Sequence, residues 1–195
     1  KDEYEVDFLR MGSAAYAKTS SQFLANKIIG TAELRKDAVA FVSPSRDCFL
    51  TDEGTSSAKL LSSADITDNV VDFYSPVAST TYGVFDSGYK YMFDRFANTF
   101  RYVPLNGDLA GMCARNDINN FPWFSPAGTA RGSVLNAVKL AYNPSQIQRD
   151  KLYTNRINPV IFSPGAGIIL FGDKTGYGKK SAFDRINVRR LFIYL

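Results

Sequence analysis

The run Gly172-Asp173-Lys174-Thr175-Gly176-Tyr177-Gly178-Lys179-Lys180 comes closest to a chemical motif in this chain. A phosphate-cradling loop needs two glycines five positions apart, then Lys and a hydroxyl residue directly after the second. Here the fifth position after Gly172 is Tyr177, and Gly178-Lys179 is followed by Lys180 rather than Ser or Thr. The spacing misses by one and the hydroxyl is absent. The glycines are expected instead to permit a positive-φ turn, with Lys174, Lys179 and Lys180 forming a solvated face. The chain holds no histidine, which removes Ser-His-Asp and Cys-His catalysis and every metal site that needs imidazole. Its two cysteines, Cys48 and Cys113, cannot make a four-thiolate cluster. Their apolar neighbours predict buried free thiols rather than a disulfide or a nucleophile, a usage that fits a reducing compartment. The carboxylates form no catalytic pair in sequence. Asp2, Glu3, Glu5 and Asp7 suit a charged strand edge, Asp52-Glu53 a helix start, and Arg115-Asn116-Asp117 an ion pair at a helix end. No catalytic residue, cofactor or metal ligand is therefore predicted.

Composition narrows the class further. At 195 residues with 45% hydrophobic and 14% aromatic content, the chain can fill a core, and wholesale disorder is ruled out. Lys plus Arg is 23 against 19 for Asp plus Glu, a net charge of +4. Those charges are scattered, and no basic run exceeds the pairs Lys179-Lys180 and Arg189-Arg190. A nucleic-acid binder would gather them on one stripe with interleaved aromatics, so no nucleic-acid partner is expected. No apolar stretch approaches the length of a bilayer span, so no membrane partner is expected either. There is no initiator Met, and the closing stripe ends without a helix stop signal; both predict a piece of a longer chain.

The elements that must position these residues follow from periodicity. Tyr4 to Leu9 alternates apolar with charged residues, as a strand with one wet face does. Thr19-Ser20-Ser21-Gln22 fits a capping box with Thr19 as N-cap. Leu24, Ala25, Ile28, Ile29 and Ala32 follow at helical spacing, and Ala38 to Val42 is a strand buried on both faces. Strand, helix, buried strand predicts a βαβ unit with parallel neighbours. Thr51 to Asn69 is expected to be loop plus a surface helix. Tyr82 to Asp86 and Tyr89 to Phe93 are expected as strands around an Asp86-Ser87-Gly88 turn, followed by a strand from Thr99 to Val103. Gly107 to Arg115 predicts a helix packed by Leu109, Ala110, Met112 and Cys113. Phe121 to Gly132 is a Pro- and Gly-punctuated loop whose Trp123 and Phe124 either press into the core or form an exposed patch. Val134 to Ala141 fits strand or helix. Asn143-Pro144-Ser145-Gln146 predicts a helix to Tyr153 with Pro at its first position. Asn158 to Phe162 and Ile168 to Phe171 predict strands around a Pro164-to-Gly167 turn. Ser181 is expected to open a last helix with Val188, Leu191, Phe192 and Leu195 on one side. There is no internal repeat.

A series of ordered blocks carries a family resemblance. Arg101-Tyr102-Val103-Pro104, Gly107-Asp108-Leu109-Ala110-Gly111 and Ala114-Arg115-Asn116-Asp117 lead to Ser125-Pro126-Ala127-Gly128 and Arg131-Gly132. Then come Leu152-Tyr153, Ile157-Asn158-Pro159, Pro164-Gly165-Ala166-Gly167, Phe171-Gly172-Asp173-Lys174-Thr175 and Ile186-Asn187-Val188-Arg189-Arg190-Leu191. This resembles the core of contractile tail sheath proteins of T-even-type bacteriophages, with Leu105-Asn106, Phe171 and Lys174 departing from the commoner family pattern. The resemblance implies a layered α/β sandwich with a mixed β-sheet and flanking helices, C-terminally truncated. It divides the chain into a core domain, 1–180, and the start of a helix, 181–195, leading into an inner, tube-facing portion. It implies a structural subunit of the virion, assembled in the host cytoplasm. Neighbouring subunits in stacked rings, the inner tail tube, and the baseplate and tail terminator at the ends are the implied partners. Lys179, Lys180, Arg189 and Arg190 are the candidates for salt-sensitive subunit contacts, the alternative being a solvated helix face. The rival reading is a nucleotide- or phosphosugar-binding α/β enzyme built on the Gly-rich turn near residue 172.

Overall fold

The computed structural model describes residues 5–13, 17–51 and 58–195. Its organising element is a four-stranded sheet in the order β1 (Phe8–Arg10), β2 (Val39–Val42), β3 (Gly83–Asp86), β7 (Ile157–Asn158), parallel throughout. The predicted βαβ unit is its first half, with α1 (Lys18–Arg35) as the crossover. The strand itself begins at Phe8, later than the alternation suggests, and Tyr4 lies outside the described residues.

Side-chain alternation along β2 and β3 explains why they look apolar on every residue. Ala40, Val42 and Phe85 point into one core, with Ala25 and Ile29 of α1, Ile66, Val70 and Phe73 of α2 (Ser63–Tyr74), and Leu152 of α4 (Gln146–Thr154). Val39, Phe41 and Val84 point into a second core, against Leu109, Met112 and Cys113 of α3 (Asn106–Asn119) and Ile186 of α5 (Ile186–Tyr194). The hairpin β8 (Val160–Ser163) and β9 (Gly167–Leu170) closes that second core with Val160 and Leu170. The result is helix, sheet, helix: the layered α/β sandwich expected, with parallel and antiparallel pairing kept in separate sheets.

Several local expectations are corrected. The predicted surface helix, α2, buries Ile66, Val70, Phe73 and Tyr74, because its apolar stripe starts only after Asp65; Asp52-Glu53 lie outside the described residues. Thr19 does not cap α1. The N-cap is Ala17, the Lys18 amide donates to Asp47 Oδ2 at 2.9 Å, and Gln22 donates to the Phe73 carbonyl instead. In α4 the cap is Ser145, in a complete capping box with Gln148, and Pro144 precedes the helix rather than opening it. The Asp86-Ser87-Gly88 link is a corner between sheets and not a hairpin turn. Both edges of β3 are already taken by β2 and β7, so β4 (Tyr89–Asp94) leaves to pair with β5 (Thr99–Pro104) and β6 (Lys139–Leu140). Gly88 makes that corner possible: its φ is +147°, and a Cβ there would lie 2.6 Å from the Phe49 ring. Finally, α5 begins at Ile186, with 181–184 in turns and bends and Arg185 bridged to Lys174. Its buried positions are Ile186 and Arg190, while Phe192 and Leu195 are exposed.

Candidate functional site

The Gly172-to-Lys180 segment follows β9, and four of its amides are committed to the protein. Lys174 N donates to Asn158 Oδ1 at 2.7 Å, Thr175 N to the Asp184 carbonyl at 2.8 Å, Gly176 N to the Gly83 carbonyl at 2.7 Å and Gly178 N to Ser79 Oγ at 2.8 Å. The glycines answer a spatial need, not a turn: neither Gly172 nor Gly176 has positive φ. A Cβ on Gly172 would sit 2.9 Å from Asn158 Oδ1, and one on Gly176 2.6 Å from the Phe85 ring. The segment is thus pressed flat against the end of the parallel sheet. Asp173 is occupied as well, accepting from Arg185 Nη1 at 2.7 Å and Ser125 Oγ at 3.0 Å. Lys174 is half-buried, donating to the Tyr153 carbonyl with its ammonium 3.9 Å from the Tyr153 ring centre, and burial lowers its pKa.

Of the four predicted contact residues, the structure separates two from two. Lys179 and Lys180 are exposed on the segment between Gly178 and Ser181. Arg189 and Arg190 turn inward. Arg190 is 6% exposed, and its Nη2 lies 2.6 Å from both oxygens of Asp117 on α3. Its guanidinium also packs 5.1 Å from the Phe8 ring centre. Arg189 sits 4.3 Å from the Tyr82 ring centre and 5.0 Å from that of Phe183. The pair therefore ties α5 across α3, β1 and the approach to β3. Arg115, expected beside Asp117 in an ion pair, donates instead to the carbonyls of Arg131 and Ser133.

The carboxyl ends of the strands, where open parallel sheets usually take ligands, are filled by side chains. Ser43 Oγ donates to Asp86 Oδ2 at 2.5 Å and accepts from both the amide and the Nδ2 of Asn106, each at 3.0 Å. The Tyr74 hydroxyl lies 2.9 Å from the Val42 carbonyl and 3.0 Å from that of Asp86. Burial pushes the Asp86 carboxyl well above the usual range, against the opposing donors Ser43 and Gly88. Both cysteines are buried free thiols, with burial raising each to about 12. Among the described residues, no three His, Cys, Asp or Glu side chains gather as a metal site. No helix among them is long and apolar enough to cross a membrane.

Sequence reasoning missed Arg156. Held at φ +68°, it donates to the carbonyls of Gly176, Tyr74 and Val77, joining three segments. No local pattern marks it, because all three acceptors are at least twenty residues away. Trp123 and Phe124 take neither a wholly buried nor a wholly exposed place. They form a surface stack in which Phe121 and Trp123 lie 4.8 Å apart and nearly parallel, with Tyr194 edge-on to Trp123 at 5.6 Å.

The polar side chains at the carboxyl ends of β2 and β3 are thus spent on one another. The model of the phage tail sheath protein central domain matches residues 3–176, and the chain belongs to that family. The tail sheath protein of Enterobacteria phage T4 is 37% identical over 198 residues, covering 98% of this chain and 29% of that protein. The tail sheath protein of Vibrio phage KVP40 is 41% identical over 187 residues, covering 93% and 28%. The chain thus spans under a third of the length of these relatives. Among solved structures, the contracted sheath complex of the extracellular contractile injection system PVC superposes with a TM-score of 0.63 at 17% identity, covering 98% of this chain and 45% of that one. The contracted helical sheath of the anti-feeding prophage gives 0.63 at 15% identity, covering 97% and 44%. These structures share the fold.

Proposed function

We propose that the chain is the core of a contractile tail sheath subunit, a part of the virion that stacks helically around an inner tube and contracts to drive it through the host envelope. The observation that carries this reading is the family match across 3–176. The physical logic agrees with it. A contractile lattice needs bodies that stay rigid while their mutual contacts exchange, and two cores sharing β2 and β3 make such a body. The work done is mechanical, with no substrate turned over. In this reading the partners are neighbouring copies, the inner tube protein, and the baseplate and terminator at the ends, with assembly in the host cytoplasm. Residues 1–180 act as the core unit, and 181–195 lead toward the tube.

Lys179 and Lys180 supply salt-sensitive contacts to a neighbour. Arg189 and Arg190 serve the same surface indirectly, by holding α5 in place. Electron microscopy of the intact gene product tests the reading: tubes are expected, and a product that stays monomeric overturns it. Charge reversal of Lys179 and Lys180 is expected to lower the salt concentration at which tubes come apart, without shifting the melting temperature. A melting shift on adding nucleotide would favour the enzymatic reading instead.

A further inference from the structure

Two exposed features lie at opposite poles of the parallel sheet. The first is the tip of the β4–β5 hairpin. Asp94 Oδ1 accepts from the amides of Phe96 and Ala97 at 2.9 and 3.3 Å, and Asp94 Oδ2 holds Arg101 at 3.0 Å. This fixes the turn and presents Phe96 fully to solvent beside the exposed Arg95. Tyr91 stacked on Phe100, and Phe93 tilted against Phe100, stiffen the ribbon behind it, with centroids 5.3 and 5.1 Å apart. Among the described residues Arg95 has no carboxylate partner.

The second feature is a groove of about 670 Å³ walled by Phe121 and Tyr194. These rings are 53% and 67% exposed, and both are braced by Trp123. Four carboxylates line the groove: Glu5, Asp7, Asp37 and Asp117. Two are answered within the chain, Asp37 by Arg35 and Asp117 by Arg190. Glu5 and Asp7 have no cationic partner among the described residues, which leaves the groove acidic.

Asp7 and Asp37 precede the amino ends of β1 and β2, whereas the hairpin leaves from the carboxyl end of β3 through Gly88. Because those strands are parallel, the hairpin departs from the end of the sheet opposite the groove. We propose that Arg95 and Phe96 of one copy seat in the Glu5–Asp7 groove of a second copy, the guanidinium against the carboxylates and the phenyl ring against Phe121 and Tyr194. Charge complementarity selects this occupant, and an aromatic ring seated between aromatic walls is a favoured central contact. The contact is head-to-tail and does not close on itself, so it propagates into a row of copies. It rests on the sheath reading above and names one lattice contact within it.

Cysteine cross-linking in tubes of the intact protein tests it. Copies carrying both Phe96→Cys and Asp7→Cys are expected to give a disulfide ladder of several copies on mild oxidation. A mixture of the two single variants should stop at dimers. Cys48 and Cys113 are buried free thiols, and the unmodified protein oxidised in parallel serves as the baseline for the ladder. Tubes that form but yield no ladder overturn the proposal while leaving the sheath reading standing; failure of the unmodified protein to form tubes sinks both. Charge exchange is the second arm, in case the cysteine variants fold poorly. Arg95→Glu should cut the polymerised fraction about tenfold at low ionic strength, where screening is weakest, and combining it with Asp7→Arg should restore it. No restoration counts against the contact.

Discussion

Arg190 and Asp117 show how a residue's role depends on what lies opposite it. Removing only the carboxylate, in Asp117→Ala, leaves a guanidinium buried without its counter-ion and should cost about 3 kcal/mol, the lower end for a broken buried pair because Asp117 is partly solvated. Replacing both residues by Leu should recover most of that loss, measured by urea unfolding. Asp86 gives a pH-dependent counterpart. Its carboxyl binds a proton more tightly in the fold than in the unfolded chain, because burial disfavours the charge. The stability this provides is complete below the ordinary carboxyl value of about 3.9 and is lost as pH rises toward the raised folded value. Asp86→Asn, which cannot ionise, should therefore gain on the parent as pH rises above about 4 in matched denaturation curves.

At the scale of elements, capping supplies a paired test. Ser145→Ala breaks a complete capping box and should destabilise by about 1 kcal/mol, whereas Thr19→Ala, inside the first turn of α1, should stay within about 0.3 kcal/mol of the parent. Thermal melts of the two variants check this. Both sites carry the same kind of signature, and only the surroundings distinguish them: the start of α1 is served from Asp47, twenty-nine residues away. That difference marks where a chain can be understood locally. The β1–α1–β2 unit, the α3 stripe and the β8–β9 hairpin were legible, because neighbouring residues decide them. The corner at Gly88 was not, since it depends on β7 taking the free edge of β3. The inward direction of the α5 arginines was not legible either, because Arg190 meets a partner seventy-three residues away. The ordered blocks conveyed the family, since they register the whole set of such distant requirements at once.

Taken as a whole, the molecule has two cores laminated on one sheet. Val39, Phe41 and Val84 serve one face, and Ala40, Val42 and Phe85 the other, so neither core can open without exposing the strands of its neighbour. Leu152→Ala in the first core and Leu109→Ala in the second should each cost about 2–5 kcal/mol and lower one shared unfolding transition. Two separate transitions in calorimetry would contradict that coupling. The stack beside the acidic groove has a practical consequence. Trp123 is the chain's single tryptophan, and it lies between Phe121 and Tyr194. All indole fluorescence of these 195 residues therefore originates at one pole. Whatever dries that wall will shift the emission to the blue, so the segment carries its own reporter of what settles there, without a dye.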